Sequence, residues 1–501
     1  MRGWRARGRT AVAVGAVLCA GSSGAFALPA TAAAAGEADP YVYAKDAEKV
    51  PGGSNSTDAP RLKTGGTYRS LLGTGTGTGT SGTAYYRVEL DRAANAYVSV
   101  VAVPPLGSDV KVTYSDGIAV ALQDRDGNRC DSESATFRSG GYPRPVAATA
   151  ERLVRPGALR CQAAGTYYVV VERKTDAGST QESWGLELKV DTEPGLVSTV
   201  PTQGPQTWPS ASVQPPTQKA VRRSGGTGFN DAVALTGGVW KDGVRPGQSH
   251  YYRVPVDWGQ QLFVDAELGS SAGDGTRRAI VTGALDMELY NPARAPIAAK
   301  QASYAGDPAS ATFEPIPPVA YENRYLMRDD QAAMRLAGWY YLKVTLNPAM
   351  ASKFGDKASG LTLRVSVEGE ERQPPDYVRD PGEFQVTDED REAAEKGEGG
   401  AVWENSEVSE DGGARGDGQG GGEPSGGTGP GGSADAGASA SGESGAAGSD
   451  GASGSAGSSS ASASAGSGGM LLVGVAGVGV GCALVMWLGV WRVVAVRRVK
   501  G

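Results

Sequence analysis

His250 is the only histidine in a chain of 501 residues, so any proton relay working near neutral pH would have to pass through it. A Ser-His-Asp relay would have to use it, and no Gly-x-Ser-x-Gly nucleophile elbow stands in a strand-to-helix setting here. His250 immediately precedes Tyr251-Tyr252, where a similar earlier segment has Ala84, and it is expected as a strand-edge residue. One histidine and four cysteines exclude a clustered His/Cys zinc site by count. Glu and Asp are plentiful, yet nothing in their placement singles out the carboxylate pair that a glycosidase would need. A hydrolase would have to rest on a site the sequence does not display.

Three other groups carry possible chemistry. Cys130 and Cys161 are the only cysteines outside the two apolar ends of the chain, which hold Cys19 and Cys482. In an oxidising compartment the pair predicts a disulfide closing about 31 residues, worth roughly 3.5 kcal/mol in the chain-entropy picture; free thiols are the alternative. Asp124-Arg125-Asp126-Gly127-Asn128 offers closely spaced oxygens of the kind calcium favours, but it lacks the distal glutamate of an EF-hand, and Asp-Gly-Asn after a strand is an ordinary turn. The paired tyrosines Tyr85/Tyr86, Tyr167/Tyr168, Tyr251/Tyr252 and Tyr340/Tyr341 could form an aromatic platform for a sugar or another ligand. Consecutive strand residues point to opposite faces, so one of each pair belongs to the core and the other is the candidate contact. A net charge of −7 without basic clusters argues against nucleic acid, and no cofactor or metal is expected.

The elements that would hold these groups occur twice. Tyr85-Tyr86-Arg87-Val88 returns as Tyr251-Tyr252-Arg253-Val254, Gly117 as Gly283, and Ser134-Ala135-Thr136-Phe137 as Ser310-Ala311-Thr312-Phe313. Gly165-Thr166-Tyr167-Tyr168 likewise returns as Gly338-Trp339-Tyr340-Tyr341, and Gly185-Leu186 as Gly360-Leu361. Offsets of about 166 to 176 residues identify a duplicated domain, placed at 41–193 and 229–370. Strands are predicted at Tyr85 to Leu90, Tyr97 to Val103, Ile118 to Gln123, Tyr167 to Glu172 and Leu186 to Val190, with counterparts in the second copy. Leu361-Thr-Leu-Arg-Val-Ser-Val367 alternates apolar and polar, which buries one face and wets the other. The fold class expected is mainly β: two tandem jelly-roll-like β-sandwiches, with one short helix near Asp329 to Leu336. Gly73 to Thr80, a Gly-Thr tract, reads as an expanded hairpin loop, since it lacks the lysine and following helix of a phosphate loop.

Around the modules the composition changes. Residues 1–35 read as a signal peptide, with Arg2, Arg5, Arg7 and Arg9 before a short apolar core and small residues at Ala25 and Ala27. The Pro-rich stretch 194–228 reads as a semi-rigid linker. Residues 371–469 are acidic and then rich in Gly, Ser and Ala, a composition expected to be disordered and to act as a tether. The apolar residues 470–491 reach roughly 33 Å as a helix, enough to span a bilayer. The tail at 492–501 carries Arg492, Arg497, Arg498 and Lys500, which places it in the cytoplasm and the modules outside. Gly477 and Gly481 give a GxxxG spacing through which two such helices can pair as a homodimer.

The motifs at Tyr85 to Val88, Leu122 and Ala164-Gly165 to Val171, with Tyr251 to Val254, Leu289 and Ala337-Gly338 to Val344, are similar to those of the bacterial pre-peptidase C-terminal domain. That resemblance covers about 270 residues and implies small β-sandwiches of the type appended to secreted enzymes. The layout also resembles membrane-anchored surface proteins of actinobacteria. The function expected is a non-enzymatic, single-pass surface protein presenting two modules to cell-wall polymer or extracellular protein. The alternative is an accessory or assembly subunit of a separately encoded exported enzyme or secretion complex.

Overall fold

A computed structural model of the chain describes residues 40–399, apart from 75–81, 108, 156, 199–201 and 272–278. The predicted signal peptide, the tether beyond 399, the membrane segment with Gly477 and Gly481, and the basic tail lie outside the described residues, as does most of the Gly-Thr tract. Among the described residues, no helix is long and apolar enough to cross a membrane.

The first module contains β1 (Glu48–Lys49), β2 (Arg61–Leu62), β3 (Thr67–Leu72), β4 (Thr83–Leu90), β5 (Asn95–Val103), β6 (Gly117–Asp124), β7 (Arg129–Thr136), β8 (Val146–Arg152), β9 (Gly165–Lys174) and β10 (Trp184–Glu193). The second contains β11 (Val221–Arg222), β12 (Val233–Ala234), β13 (Gly238–Val244), β14 (Ser249–Val256), β15 (Gln261–Leu268), β16 (Val281–Tyr290), β17 (Pro296–Tyr304), β18 (Ala309–Thr312), β19 (Gly338–Leu346) and β20 (Ser359–Glu368). Three short helices follow the same chain order: α1 (Asp329–Ala332), α2 (Ala349–Phe354) and α3 (Asp388–Lys396). The chain is therefore mainly β, and its strands form two pairs of five-stranded sheets.

The sheet orders are β1-β3-β10-β5-β8 and β2-β4-β9-β6-β7 in the first module, and β11-β13-β20-β15-β18 and β12-β14-β19-β16-β17 in the second. The two modules thus share one topology strand for strand. Alternation drives it: in Thr83–Leu90 the even positions Ala84, Tyr86, Val88 and Leu90 are buried while Arg87 and Glu89 face solvent. The two sheets of each module close on a core, one holding Tyr86, Val98, Leu122, Val169 and Leu188, the other Tyr252, Val264, Leu289, Leu342 and Leu363. Gly283 adopts φ +59° where β16 slips register against β17 between Val281 and Leu285, a bulge conformation that a side chain resists.

One repeat match is corrected. Ser134 to Thr136 ends β7, which pairs with β6, whereas Ser310 to Thr312 ends β18, which pairs with β15 in the other kind of sheet. Both strands run into a buried phenylalanine, Phe137 or Phe313, that closes the core, so one local requirement recurs on non-equivalent strands.

The two sandwiches belong to one compact unit. β5 is buried at eight of its nine positions and β19 at all nine, because both faces of each strand are covered. The outer face of the β3-β10-β5-β8 sheet lies against the outer face of the β14-β19-β16-β17 sheet. Phe229, Tyr251, Tyr290 and Tyr341 pack there with Tyr41, Val101 and Ala147, and Phe229 meets three tyrosine rings edge-on at 5.1 to 5.2 Å.

The flanking segments are ordered on this body. Val197 donates to the Asp376 carbonyl at 2.7 Å, Val378 to the Gly195 carbonyl at 2.9 Å, and Gln261 Nε2 to the Pro209 carbonyl at 2.9 Å. The acidic stretch at Asp388 to Glu398, expected as solvated tether, forms α3. Thr387 and Asp390 make a capping box at its start, Trp339 Nε1 donates to Asp390 Oδ1 at 2.7 Å, and Ala393 and Ala394 are buried. Its charges lie on the wet side, and the two alanines supply a small apolar face that the charge count hides.

Candidate binding faces

Strand register gives the outer face of the β2-β4-β9-β6-β7 sheet a defined layout. Across one row stand Arg61, Arg87, Tyr168, Gln123 and Arg129, since Arg61 faces Arg87, Arg87 faces Tyr168, Tyr168 faces Gln123 and Gln123 faces Arg129. The next row holds Tyr85, Val170, Ala121 and Ser132, and the one after it Thr83, Glu172, Ala119 and Ser134. Tyr86 and Tyr167 point inward and are core; Tyr85 and Tyr168 are half-buried on the outside above Ala119, Ala121 and Val170.

The equivalent face of the second module has another fate. Tyr252 and Tyr340 are core, as their counterparts are, but Tyr251 and Tyr341 are buried too, because the first module covers them. These two were expected as ligand contacts, and the structure closes them to a soluble ligand. The positions of Val170, Ala121 and Ala119 are taken by Lys343, Glu288 and Asp286, which turn a smooth floor into an ionic one.

The seam is held by buried ion pairs that sequence reasoning missed. Glu187 accepts from Arg294 Nη1 at 2.7 Å and from Asn230, Glu193 accepts from Arg324 Nη2 at 2.7 Å, and Glu151 pairs with Arg335. In the reverse sense, Arg144 Nη2 reaches Asp286 at 2.9 Å and Arg138 pairs with Glu288. Burial by itself would raise the Glu193 carboxyl. Arg324, together with Asn95 Nδ2 at 2.6 Å and the hydroxyls of Tyr97 and Tyr377 at 2.9 Å, outweighs it and holds the group below the usual carboxylate range. Burial also opposes ionisation of Glu288, but Lys343, Arg138 and Arg144 bring it down to about 2. Lys343 is nonetheless lowered by its own burial and by Arg144, so the carboxylate is the better-stabilised partner of that pair. Its ammonium also donates to the Pro145 carbonyl at 2.7 Å, across the seam.

The remaining candidates resolve as structure. Cys130 and Cys161 form a disulfide, with S–S 2.02 Å and a sequence separation of 31. Asp124 Oδ1 accepts from the amides of Asp126 and Asn128, and Oδ2 from Asn128 Nδ2, so this carboxylate is engaged by its own turn. His250 is the second residue of β14 and is buried, with Nδ1 2.6 Å from Asp242 Oδ2, which also accepts from Tyr252 at 2.6 Å and the Gly225 amide at 2.9 Å. Burial alone would raise Asp242, but these donors keep it below its ordinary value.

No family model and no curated protein matches the chain. Among solved structures, the N-terminal CBM22 tandem of Paenibacillus barcinonensis Xyn10C is 11% identical, covering 68% of this chain and 100% of its own, at a TM-score of 0.16. Sulfolobus Turreted Icosahedral Virus is 11% identical over 66% of this chain and 96% of that one, at 0.17. Broad Bean Stain Virus is 11% identical over 58% and 80%, at 0.15. Scores at this level carry no argument about function.

Proposed function

We propose that the protein is a non-enzymatic, membrane-anchored surface protein that presents two jelly-roll β-sandwich modules to cell-wall polymer or extracellular protein. The strand order, with the first sheet running third-tenth-fifth-eighth and the second fourth-ninth-sixth-seventh, supports the jelly-roll reading. The apolar segment at 470–491, followed at once by basic residues, supports the anchor. The observation that carries the reading is the unequal fate of one duplicated face. In the second module it is a buried docking surface. In the first, the same tyrosines stand half-exposed over small residues, with no cover among the described residues.

The other uncovered sheet face reads as solvated surface. There Arg364 sits between Asp265 at 2.8 Å and Glu267 at 3.1 Å, and Thr312 donates to Asp265, so its charges satisfy one another. The test is retention of the detergent-solubilised full chain on isolated cell wall and its crosslinking to surface protein on intact cells. The Tyr85→Ala/Tyr168→Ala double variant should lose both signals. Undiminished retention and crosslinking in that variant would refute the assignment of the face.

A further inference from the structure

We infer that the row Arg61, Arg87, Tyr168, Gln123, Arg129 on the first module binds an anionic polysaccharide, one bearing carboxylate or phosphate groups. This deepens the reading above and rests on it. Arg61 and Arg87 stand directly opposite each other in parallel register, both exposed. Like charges so placed destabilise a sheet. Neither they nor Arg129 have a carboxylate partner among the described residues, in a chain of net charge −7 whose other free sheet face pairs its arginine twice over. Glu89, two positions beyond Arg87, is engaged by the Thr166 hydroxyl at 2.6 Å and lies in a flanking row. Three uncompensated guanidiniums in one line are a cost to the fold that a ligand would relieve.

The row crosses the sheet from β2 through β4, β9 and β6 to β7. Four strand spacings make it about 19 Å long, a track suited to an extended polymer. Guanidinium forks match carboxylate and phosphate oxygens in two-point contacts. Tyr85 and Tyr168 supply flat apolar surfaces with polar tips, and Gln123, Ser132 and Ser134 supply amide and hydroxyl groups suited to a hydroxylated ring. A folded protein partner is a poorer fit, because it needs about 800 Å² per side with anchors sunk in pockets, and this floor offers only Tyr85, Val170, Ala119 and Ala121 in shallow relief. The companion face gives the precedent for charge: Glu151, Glu187 and Glu193 of the first module meet Arg335, Arg294 and Arg324 around it.

The experiment measures binding of the full chain in detergent micelles to immobilised polygalacturonate, a phosphomannan, neutral dextran and poly-glutamate across a salt series. At least one of the two acidic glycans should retain the protein, dextran should not, and retention should fall steeply with salt. An exposed charge contact contributes up to about fivefold, so Arg61→Gln/Arg87→Gln should weaken retention about tenfold in all. Arg364→Gln, which also removes positive charge but from the other module's self-paired face, should leave it unchanged. Equal retention on dextran, tighter retention on poly-glutamate, no retention on either acidic glycan, or indifference to the double substitution would each overturn the inference. If wall retention still depended on Tyr85 and Tyr168 while both acidic glycans failed, the face would stand as a binding surface and only this ligand class would fall.

Discussion

Replacing Arg324 by Met should uncouple the two modules at one buried charge. Glu193 is fully buried and Arg324 nearly so, and the pair makes two hydrogen bonds, at 2.7 and 3.2 Å. The variant keeps the donors from Asn95, Tyr97 and Tyr377 but leaves the carboxylate without a cation. Removing one partner of a buried pair costs about 3–5 kcal/mol, most of it the burden of the charge left behind. With unfolding entropy of about 2.1 cal/mol/K per residue over roughly 350 ordered residues, that loss lowers Tm by about 4–7 °C if the body melts as one unit.

The pH dependence separates this mechanism from simple loss of packing. In the native chain the Glu193 carboxyl is depressed by Arg324 and its neutral donors, against the effect of burial. It therefore contributes stability that is present above the ordinary carboxylate range and is lost as pH falls through its folded value. Without Arg324 burial dominates and the carboxyl is pushed up, so its charged form is a penalty at neutral pH that protonation removes. The Tm gap between native and Arg324→Met chains should be widest at pH 7 and narrow as pH falls towards 4, and adding Glu193→Gln should recover about half of it at pH 7. Calorimetry or tryptophan fluorescence of the full chain reads this directly. A gap that is absent at pH 7, or that widens on acidification, would refute the reasoning.

Other perturbations follow from the same contacts. Tyr251→Ala should cost about 3–5 kcal/mol, as for a buried aromatic, while Tyr85→Ala at the equivalent half-buried position should cost less, about 1–2 kcal/mol; equal losses in denaturant titrations would contradict the covered-face assignment. Cys130→Ser/Cys161→Ser should remove about 3.5 kcal/mol, and reductant should lower the Tm of the native chain but not of the variant. Asp242→Asn should cost about 1–3 kcal/mol by weakening the acceptor shared by His250, Tyr252 and Gly225. Because Asp242 is depressed, the native advantage over that variant should be present above the ordinary aspartate range and fade as pH falls through its folded value.

What was legible in the sequence follows from what each residue signals locally. Tyr85 to Leu90 and Leu361 to Val367 alternate cleanly because one face of each is wet, so their strands and inward residues could be read directly. The covered strands were visible as strands, but their second contact was not. Tyr97-Val-Ser-Val-Val-Ala-Val103 departs from alternation because its outer side chains also lie in a seam, and a short apolar run by itself does not say what covers it. Glu193 and Arg324 are 131 residues apart, and neither carries a local mark of its partner. The same holds for the row of arginines: Arg87 is plain in the repeated Tyr-Tyr-Arg-Val, but Arg61 and Arg129 join it only once β2 and β7 take their places in the sheet. Strands such as Arg129–Thr136, built of polar and small residues, gave no periodic signal and are held by their neighbours.

The contact between the modules is heterologous, since one copy presents the face of its β10-containing sheet and the other the face of its β19-containing sheet. A head-to-tail contact between like units repeats indefinitely unless the free faces have lost their complementarity. Here both have. On the first module's open face, Val170, Ala121 and Ala119 stand where the second has Lys343, Glu288 and Asp286, so the ions that would meet a third module are missing. On the second module's open face, Thr362 stands where the first has Glu187, by the shared pairing of β10 and β20 with their neighbours, and Arg364 is already committed to Asp265 and Glu267. These differences stand at outward-facing strand positions, where substitution does not disturb the core. One sheet face thus serves as internal cement in one copy and stands free in the other.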